Sequence, residues 1–249
     1  MKFNNILISS CLLAGSLHAG VHHSHWGYTG DGDPTHWGDL DPKYVECKLG
    51  GSQSPVNIKK EIIVETKGLA PINFHYTTAA SEVINNGHSV QVNIEPGSFI
   101  VIDKKEFELK QFHFHTPSEN QINGKNFPLE AHFVHQAKDG ALAVVAVMFE
   151  DGKESAVVNK IWKKMPKEAG KKVQYKLSAK MINRLLPKKR AYYRFDGSLT
   201  TPPCSEGVRW FVLKDYSTVS KEEVKKFLHT MHHPNNRPVQ SINARKVLQ

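Results

Sequence analysis

The chain reads as mainly β in the α+β sense: one domain on a large central twisted sheet, mostly antiparallel though mixed, with short helices at its periphery. Three observations predict this. Strand-like runs succeed one another from residue 56 to residue 150. Polar turn residues separate them, among them the Asn-Gly and Asp-Gly pairs of tight hairpins at 123–124 and 139–140. Helical periodicity is confined to brief stretches after residue 150.

The runs are Val90-Gln91-Val92-Asn93-Ile94, then residues 99–102, 107–115, 129–135 and 142–149. Between them lie Asn85-Asn86-Gly87, Glu95-Pro96-Gly97, Asn123-Gly124 and Asp139-Gly140. Consecutive strands at this spacing imply antiparallel pairing. Residues 142–149, Leu-Ala-Val-Val-Ala-Val-Met-Phe, lack polar alternation, so both faces are expected to be covered and the strand to be central. Helical pattern is read over 154–164, over 178–186 before Pro187, and from a capping box at Ser220-Lys221-Glu222-Glu223 to His229. The tail from His232 to Gln249 reads as irregular apart from a last strand.

Residues 1–19 carry one early positive charge, a short apolar core and small residues near Ala19, the pattern of a secretory leader removed near residue 19. A buried N-terminal helix fits less well, because Gly20 and the histidines His22, His23 and His25 follow without amphipathic continuation. A lipoprotein anchored at Cys11 would have an unusually short apolar stretch before it. Residues 20–249 are then one domain, long enough to bury a substantial core, in an exported chain of the periplasm or cell envelope. Export makes a disulfide between Cys47 and Cys204 permissible, two buried thiols being the alternative. A charge of +9 and a pI near 9.3 raise nucleic acid as a partner. The lysine pairs are spread out with acids between them and no nucleic-acid motif accompanies them, so a solvated basic surface is expected. Peripheral association with an anionic envelope surface, without a transmembrane segment, is compatible with it.

The chemistry concentrates in Gln111-Phe112-His113-Phe114-His115 and Glu130-Ala131-His132-Phe133-Val134-His135. Alternate side chains share a strand face, so His113 and His115 project together, and a neighbouring strand brings His132 to meet them. Three histidines with one open position describe a catalytic zinc site, whereas a structural one needs four protein ligands. Gln111 shares the face of His113 and His115, and Glu130 that of His132, as groups that accept the second N–H of a metal-bound imidazole do. A hydrogen-bonded network without metal is the alternative. Further on, in the stretch from Tyr192 to Cys204, Pro202 and Pro203 remove backbone donors and Gly197 permits a sharp turn, so the hydroxyls of Thr200 and Thr201 are expected on a rigid loop rather than a sheet ladder.

With these residues in view, the chain resembles the α-class carbonic anhydrases. The matching motifs are Trp26-Gly27-Tyr28, Gln53-Ser54-Pro55-Val56-Asn57-Ile58, Asn85-Asn86-Gly87-His88, the two histidine strands, Pro117-Ser118-Glu119, Gly197-Ser198-Leu199-Thr200-Thr201-Pro202-Pro203 and Asn235-Asn236-Arg237-Pro238. The resemblance implies reversible hydration of carbon dioxide to bicarbonate by zinc hydroxide, with zinc on His113, His115 and His132. It implies that Thr200 accepts a hydrogen bond from the hydroxide and donates to an ionised Glu119. Gln111, Glu130 and the Asn235 carbonyl would orient the ligands, while Val134, Val144, Leu199, Val208 and Trp210 form the apolar wall beside Thr200 and Thr201. His88 would carry the proton out, with Tyr28, Asn86 and Gln91 lining the water path, and an exposed imidazole with an ordinary pKa near 6.5 suits that task. The physical logic is that water supplies almost no hydroxide at neutral pH, whereas zinc lowers the pKa of bound water to about 7, a figure established for carbonic anhydrases themselves.

The resemblance also implies a Cys47–Cys204 disulfide and a side activity on esters; a monomer or homodimer is expected. Phe195 stands where many members have Tyr, which removes a hydroxyl. His113-x-His115-x₃-Glu119 also has the spacing of a cupin metal motif, but the later histidine segment of cupins is absent. A non-enzymatic binding relative would be expected to lack a zinc histidine, and all three are here.

Overall fold

The computed structural model describes residues 25–249, so the leader expected over 1–19, Cys11, His22 and His23 lie outside the described residues. The strands are β1 (Asn57–Ile58), β2 (Ile63–Val64), β3 (Asn73–His75), β4 (Ala80–Asn85), β5 (Val90–Ile94), β6 (Phe99–Ile102), β7 (Lys105–His115), β8 (Gln121–Ile122), β9 (Leu129–Gln136), β10 (Leu142–Asp151), β11 (Lys172–Gln174), β12 (Tyr192–Ser198), β13 (Glu206–Leu213), β14 (Ser217–Val219) and β15 (Val247–Leu248). The helices are short: α1 (Trp37–Leu40), α2 (Glu46–Leu49), α3 (Ala156–Trp162), α4 (Ala179–Asn183) and α5 (Lys221–Met231).

Thirteen of these strands form one sheet, in the order β11-β4-β5-β7-β9-β10-β13-β12-β15-β2, with β3 on β6, β6 on β7 and β14 on β10. Pairing is antiparallel except at β10–β13, β10–β14 and β15–β2, so the sheet is mixed as expected. At Asn123 and Gly124 the φ angles of +50° and +78° fit a hairpin turn that needs positive φ. The unalternated run of β10 is buried from Ala143 to Phe149 between β9 and β13. Ser220 opens α5 with the reciprocal capping box: its side chain accepts from Glu223 N–H, and Glu223 accepts from Ser220 N–H.

Strand alternation divides the core in two. Phe112, Phe114, Phe133, Val145, Val147 and Phe211 pack in the larger cluster with α3 and α5. Val144, Ala146, Met148, Val208, Trp210 and Val212 pack in the smaller one on the opposite face, which is the face of the histidines.

Two expectations are corrected. Thr200 and Thr201 lie on a loop, but the stretch 192–198 before it is strand β12, paired antiparallel with β13. Its mixed Tyr, Arg and Asp composition hides the alternation, and only residues 199–205 leave the ladder. Gly197 accordingly does not make a turn: it stands at a register shift where a Cβ would collide with Ser54 Oγ and crowd Trp210, so close packing requires glycine. The second correction concerns helix length. α3 and α4 are shorter than the 154–164 and 178–186 read from periodicity, their last turns continuing as i→i+3 bonded turns such as Lys164 N–H to Ile161 and Leu185 N–H to Ile182.

Candidate active site

The site is built by register. His113 on β7 stands directly opposite His132 on β9, and His115 opposite Glu130. One cross-sheet row runs Gln91, His113, His132, Ala146, Val212; the adjacent row on the same face runs Asn93, Gln111, Val134, Val144, Trp210. Polar groups thus occupy the β5–β7 side and apolar groups the β10–β13 side of one continuous surface.

Each imidazole has one nitrogen engaged by the protein and the other turned inward. His113 Nδ1 lies 2.8 Å from Gln111 Oε1, and His115 Nδ1 lies 2.7 Å from the Asn235 carbonyl. His132 Nε2 approaches Glu130 Oε1 to 2.9 Å at an oblique angle. One nitrogen from each ring falls within 4.8 Å of the others. His115 Nε2 is buried without a hydrogen-bond partner. Burial, and the neighbouring imidazoles for His113 and His132, push these histidines below their ordinary pKa, which keeps them neutral. Neutral inward lone pairs on three converging rings are what a divalent transition metal takes.

Glu130 is fully buried and satisfied: it accepts from the backbone of Glu119 and Asn120 and from Asn120 Nδ2. Glu119 accepts from Arg237 N–H at 2.8 Å through Oε1, while Oε2 makes no well-formed hydrogen bond and stands 3.5 Å from His115 Nε2. Burial pushes Glu119 up to about 8, against the pull of Arg237 N–H and the Thr200 hydroxyl.

The loop carrying Thr200 and Thr201 is tied at both ends. Ser198 and Ser54 exchange hydrogen bonds through each other's N–H and Oγ, Leu199 N–H donates to Ser205, and Cys204 N–H donates to Thr201. Cys204 is joined to Cys47 by the disulfide, so the free-thiol alternative falls. Val144, Val208 and Trp210 are buried, Val134 and Leu199 pack on them, and Trp210 meets the His132 ring edge-on at 4.9 Å.

Around the rim the structure departs from the exposed, ordinary histidine expected at position 88. His88 is half-buried, stacked on Trp26 at 3.6 Å between centroids and on His25 at 5.0 Å. Desolvation first, then the like charges of His25 and His233, lower it to about 4. Asn86 is exposed; its Oδ1 accepts from His88 and Ser89 N–H, and its Nδ2 reaches Gln91 at 3.4 Å. The Tyr28 hydroxyl is buried without a partner, and burial and Glu119 raise its pKa well above the ordinary value.

Sequence reasoning assigned no role to Arg237. It is 1 % exposed and donates to Gln53 Oε1, the Ser54 carbonyl and the Cys47 carbonyl, each at 2.8 Å. Gln53 in turn donates to the Cys204 carbonyl. One residue thus links Glu119, held by the Arg237 backbone N–H, to the loop holding Thr200, reached from its guanidinium through Gln53. Its place in the matching motif Asn235-Asn236-Arg237-Pro238 was the signal available.

Residues 32–249 match the family described as eukaryotic-type carbonic anhydrase. A carbonic anhydrase of Klebsiella pneumoniae is 47 % identical, covering 91 % of this chain and 91 % of its own. One of Neisseria gonorrhoeae is 45 % identical over 100 % of this chain and 96 % of its own. Among solved structures, the α-carbonic anhydrase of Thermovibrio ammonificans with the inhibitor sulfanilamide superposes with a TM-score of 0.86 at 48 % identity, over 90 % of this chain and 99 % of that one. Fold and family coverage agree: the chain belongs to the α-class carbonic anhydrases, enzymes of carbon dioxide hydration.

Proposed function

We propose that this chain catalyses the zinc-dependent, reversible hydration of carbon dioxide to bicarbonate and a proton, with His113, His115 and His132 holding the ion. The convergence of three inward imidazole nitrogens within 4.8 Å carries the reading. The donor set fits: three neutral nitrogens, a buried orphaned His115 Nε2, and an outer partner for each ring. Bound zinc supplies hydroxide near neutral pH by acidifying water.

The remaining work falls to the chain. Thr200 donates to Glu119 and so presents its oxygen lone pair to the nucleophile, fixing its direction. Glu119 must be ionised to accept that bond; a cation held by His113, His115 and His132 would favour this form against the burial that pushes its pKa up to about 8. Val134, Val144, Leu199, Val208 and Trp210 hold carbon dioxide on a dry wall beside Thr200 and Thr201. Gln111, Glu130 and Asn235 orient the rings. His88 moves the proton along a path lined by Tyr28, Asn86 and Gln91, and does so from an unstacked position, because at about 4 the stacked imidazole is too weak a base.

Export by a leader over residues 1–19 to the periplasm, with residues 20–249 as the working domain, is part of the same reading, as are a monomeric or homodimeric state and a secondary esterase activity. Stopped-flow carbon dioxide hydration tests the central claim. Zinc-loaded protein should be active, chelated protein inactive and restored by zinc, and a sulfonamide should inhibit. Zinc-loaded protein without activity would overturn it.

A further inference from the structure

The positive charge of this chain is concentrated. Residues 153–190 hold 13 of its 33 Lys and Arg residues and 2 of its 24 Asp and Glu residues. That excess of 11 is larger than the +9 of the whole chain, so the remainder is slightly acidic, and the even spread expected from the lysine pairs does not hold. Twelve of the 13 basic residues are exposed; Arg190 is half-buried over the Phe74 ring. Among the described residues, Lys172 alone of the 13 pairs with a carboxylate, Glu82 at 3.3 Å.

The segment is fastened along one edge of the sheet. Asn85 Nδ2 donates to the Pro166 carbonyl, Gly170 N–H to Asn85, Asn85 N–H to Lys171, and Ala80 N–H to Leu177. Between these ties β11 pairs with β4 as the outermost strand, all three of its side chains exposed. The segment therefore follows β4 for its length, about 17 Å at the rise of an extended strand. Edge lysines discourage strand-to-strand aggregation, which accounts for Lys172 and its neighbours. It does not account for Lys153, Lys160, Lys163 and Lys164 on and around α3, or for Arg184, Lys188 and Lys189 beyond α4.

We propose that this basic edge docks the enzyme on the surface of an anionic phospholipid bilayer. Lysine outnumbers arginine eleven to two there. That composition suits diffuse attraction to a charged surface more than bidentate reading of single phosphates. Nucleic acid is the poorer partner, because the segment presents no exposed aromatic platform: Trp162 is buried and Tyr175 partly so. Val173 is its one exposed large apolar residue, and no described helix is long and apolar enough to cross a membrane, so the edge lies on the bilayer rather than in it. Ala169 abuts Gly87, placing the turn that carries His88 beside the docked edge. The proposal is independent of the zinc chemistry.

Co-sedimentation of the intact protein with vesicles tests it. Protein should bind vesicles containing phosphatidylglycerol, but not pure phosphatidylcholine, and be released as salt shortens the Debye length from about 30 Å toward about 8 Å. Combined Lys163→Glu, Lys164→Glu, Lys167→Glu and Lys171→Glu should weaken partition by about 100-fold or more with carbon dioxide hydration unchanged. Combined Lys43→Glu, Lys59→Glu, Lys60→Glu and Lys138→Glu changes the net charge equally elsewhere and should retain most binding. If the first variant folds poorly, Gln at the same four positions should still weaken partition by about 10-fold. Equal loss in both charge-reversed variants, equal binding to both vesicle types, or preference for a DNA duplex over the anionic vesicles at the same salt would overturn the proposal.

Discussion

The floor of the site and its rim are both made of histidines, yet they are built on opposite principles. On the floor, His113, His115 and His132 sit on two paired strands, and each ring has an outer partner on Gln111, Asn235 or Glu130. At the rim, His88 is held by ring stacking between His25 and Trp26, on a turn and an N-terminal segment. A sheet ladder with buried partners positions a ligand to fractions of an ångström and forbids rearrangement. Stacking on a half-buried surface costs little to undo. The difference fits the proposed roles, since a metal ligand would have to stay in place and a proton carrier to move.

The comparison can be broken most severely at the floor. His132→Ala should abolish zinc retention and bring carbon dioxide hydration close to the uncatalysed rate, read by metal analysis and stopped-flow. Thr200→Ala should lower kcat/KM by roughly 100-fold while zinc content stays unchanged, because it removes aim and not affinity; loss of zinc in that variant would contradict the separation of roles. At the rim, His88→Ala should slow turnover about 10-fold in dilute buffer and recover with added imidazole. Trp26→Ala should raise the His88 pKa from about 4 toward its ordinary value, followed by NMR titration; an unmoved value would show that stacking on Trp26 is not the cause. Because the stacked His88 is lowered to about 4, protonation opposes that arrangement, and a fall in pH from about 6.5 toward 4 should weaken the stack.

A fourth histidine on the floor strands sharpens the contrast without touching chemistry. His135 is fully buried on the opposite face, 2.8 Å from the Tyr76 hydroxyl, and burial lowers it to about 3. The unfolded chain takes up this proton between the ordinary value and about 3, so the stability tied to a neutral His135 is present above about 6.5 and lost as pH falls toward 3. His135→Gln should flatten that acid loss by an amount on the order of a few kcal/mol in denaturant titrations across pH.

Much of the floor was legible because a strand's period of two is local: Gln111, His113 and His115 are assigned to one face by counting, as are Glu130 and His132. Asn235 and Arg237 reach the site across 118 to 120 residues from an irregular tail, and no local period announces such contacts. β12 was missed because Arg194 and Asp196 interrupt its apolar pattern. The sandwich around His88 was missed because ring stacking leaves no mark in composition.

By itself the sequence determined the mainly β architecture, the three converging imidazoles, and the uneven placement of its lysines, since periodicity and charge are carried by neighbouring residues. The tertiary structure alone decided the neutral state of those imidazoles, the ties that run from Arg237 to Glu119 and toward the Thr200 loop, and the low basicity of the stacked His88. Each of these depends on burial and on partners distant in the chain, and desolvation exists only once the chain has closed around the group.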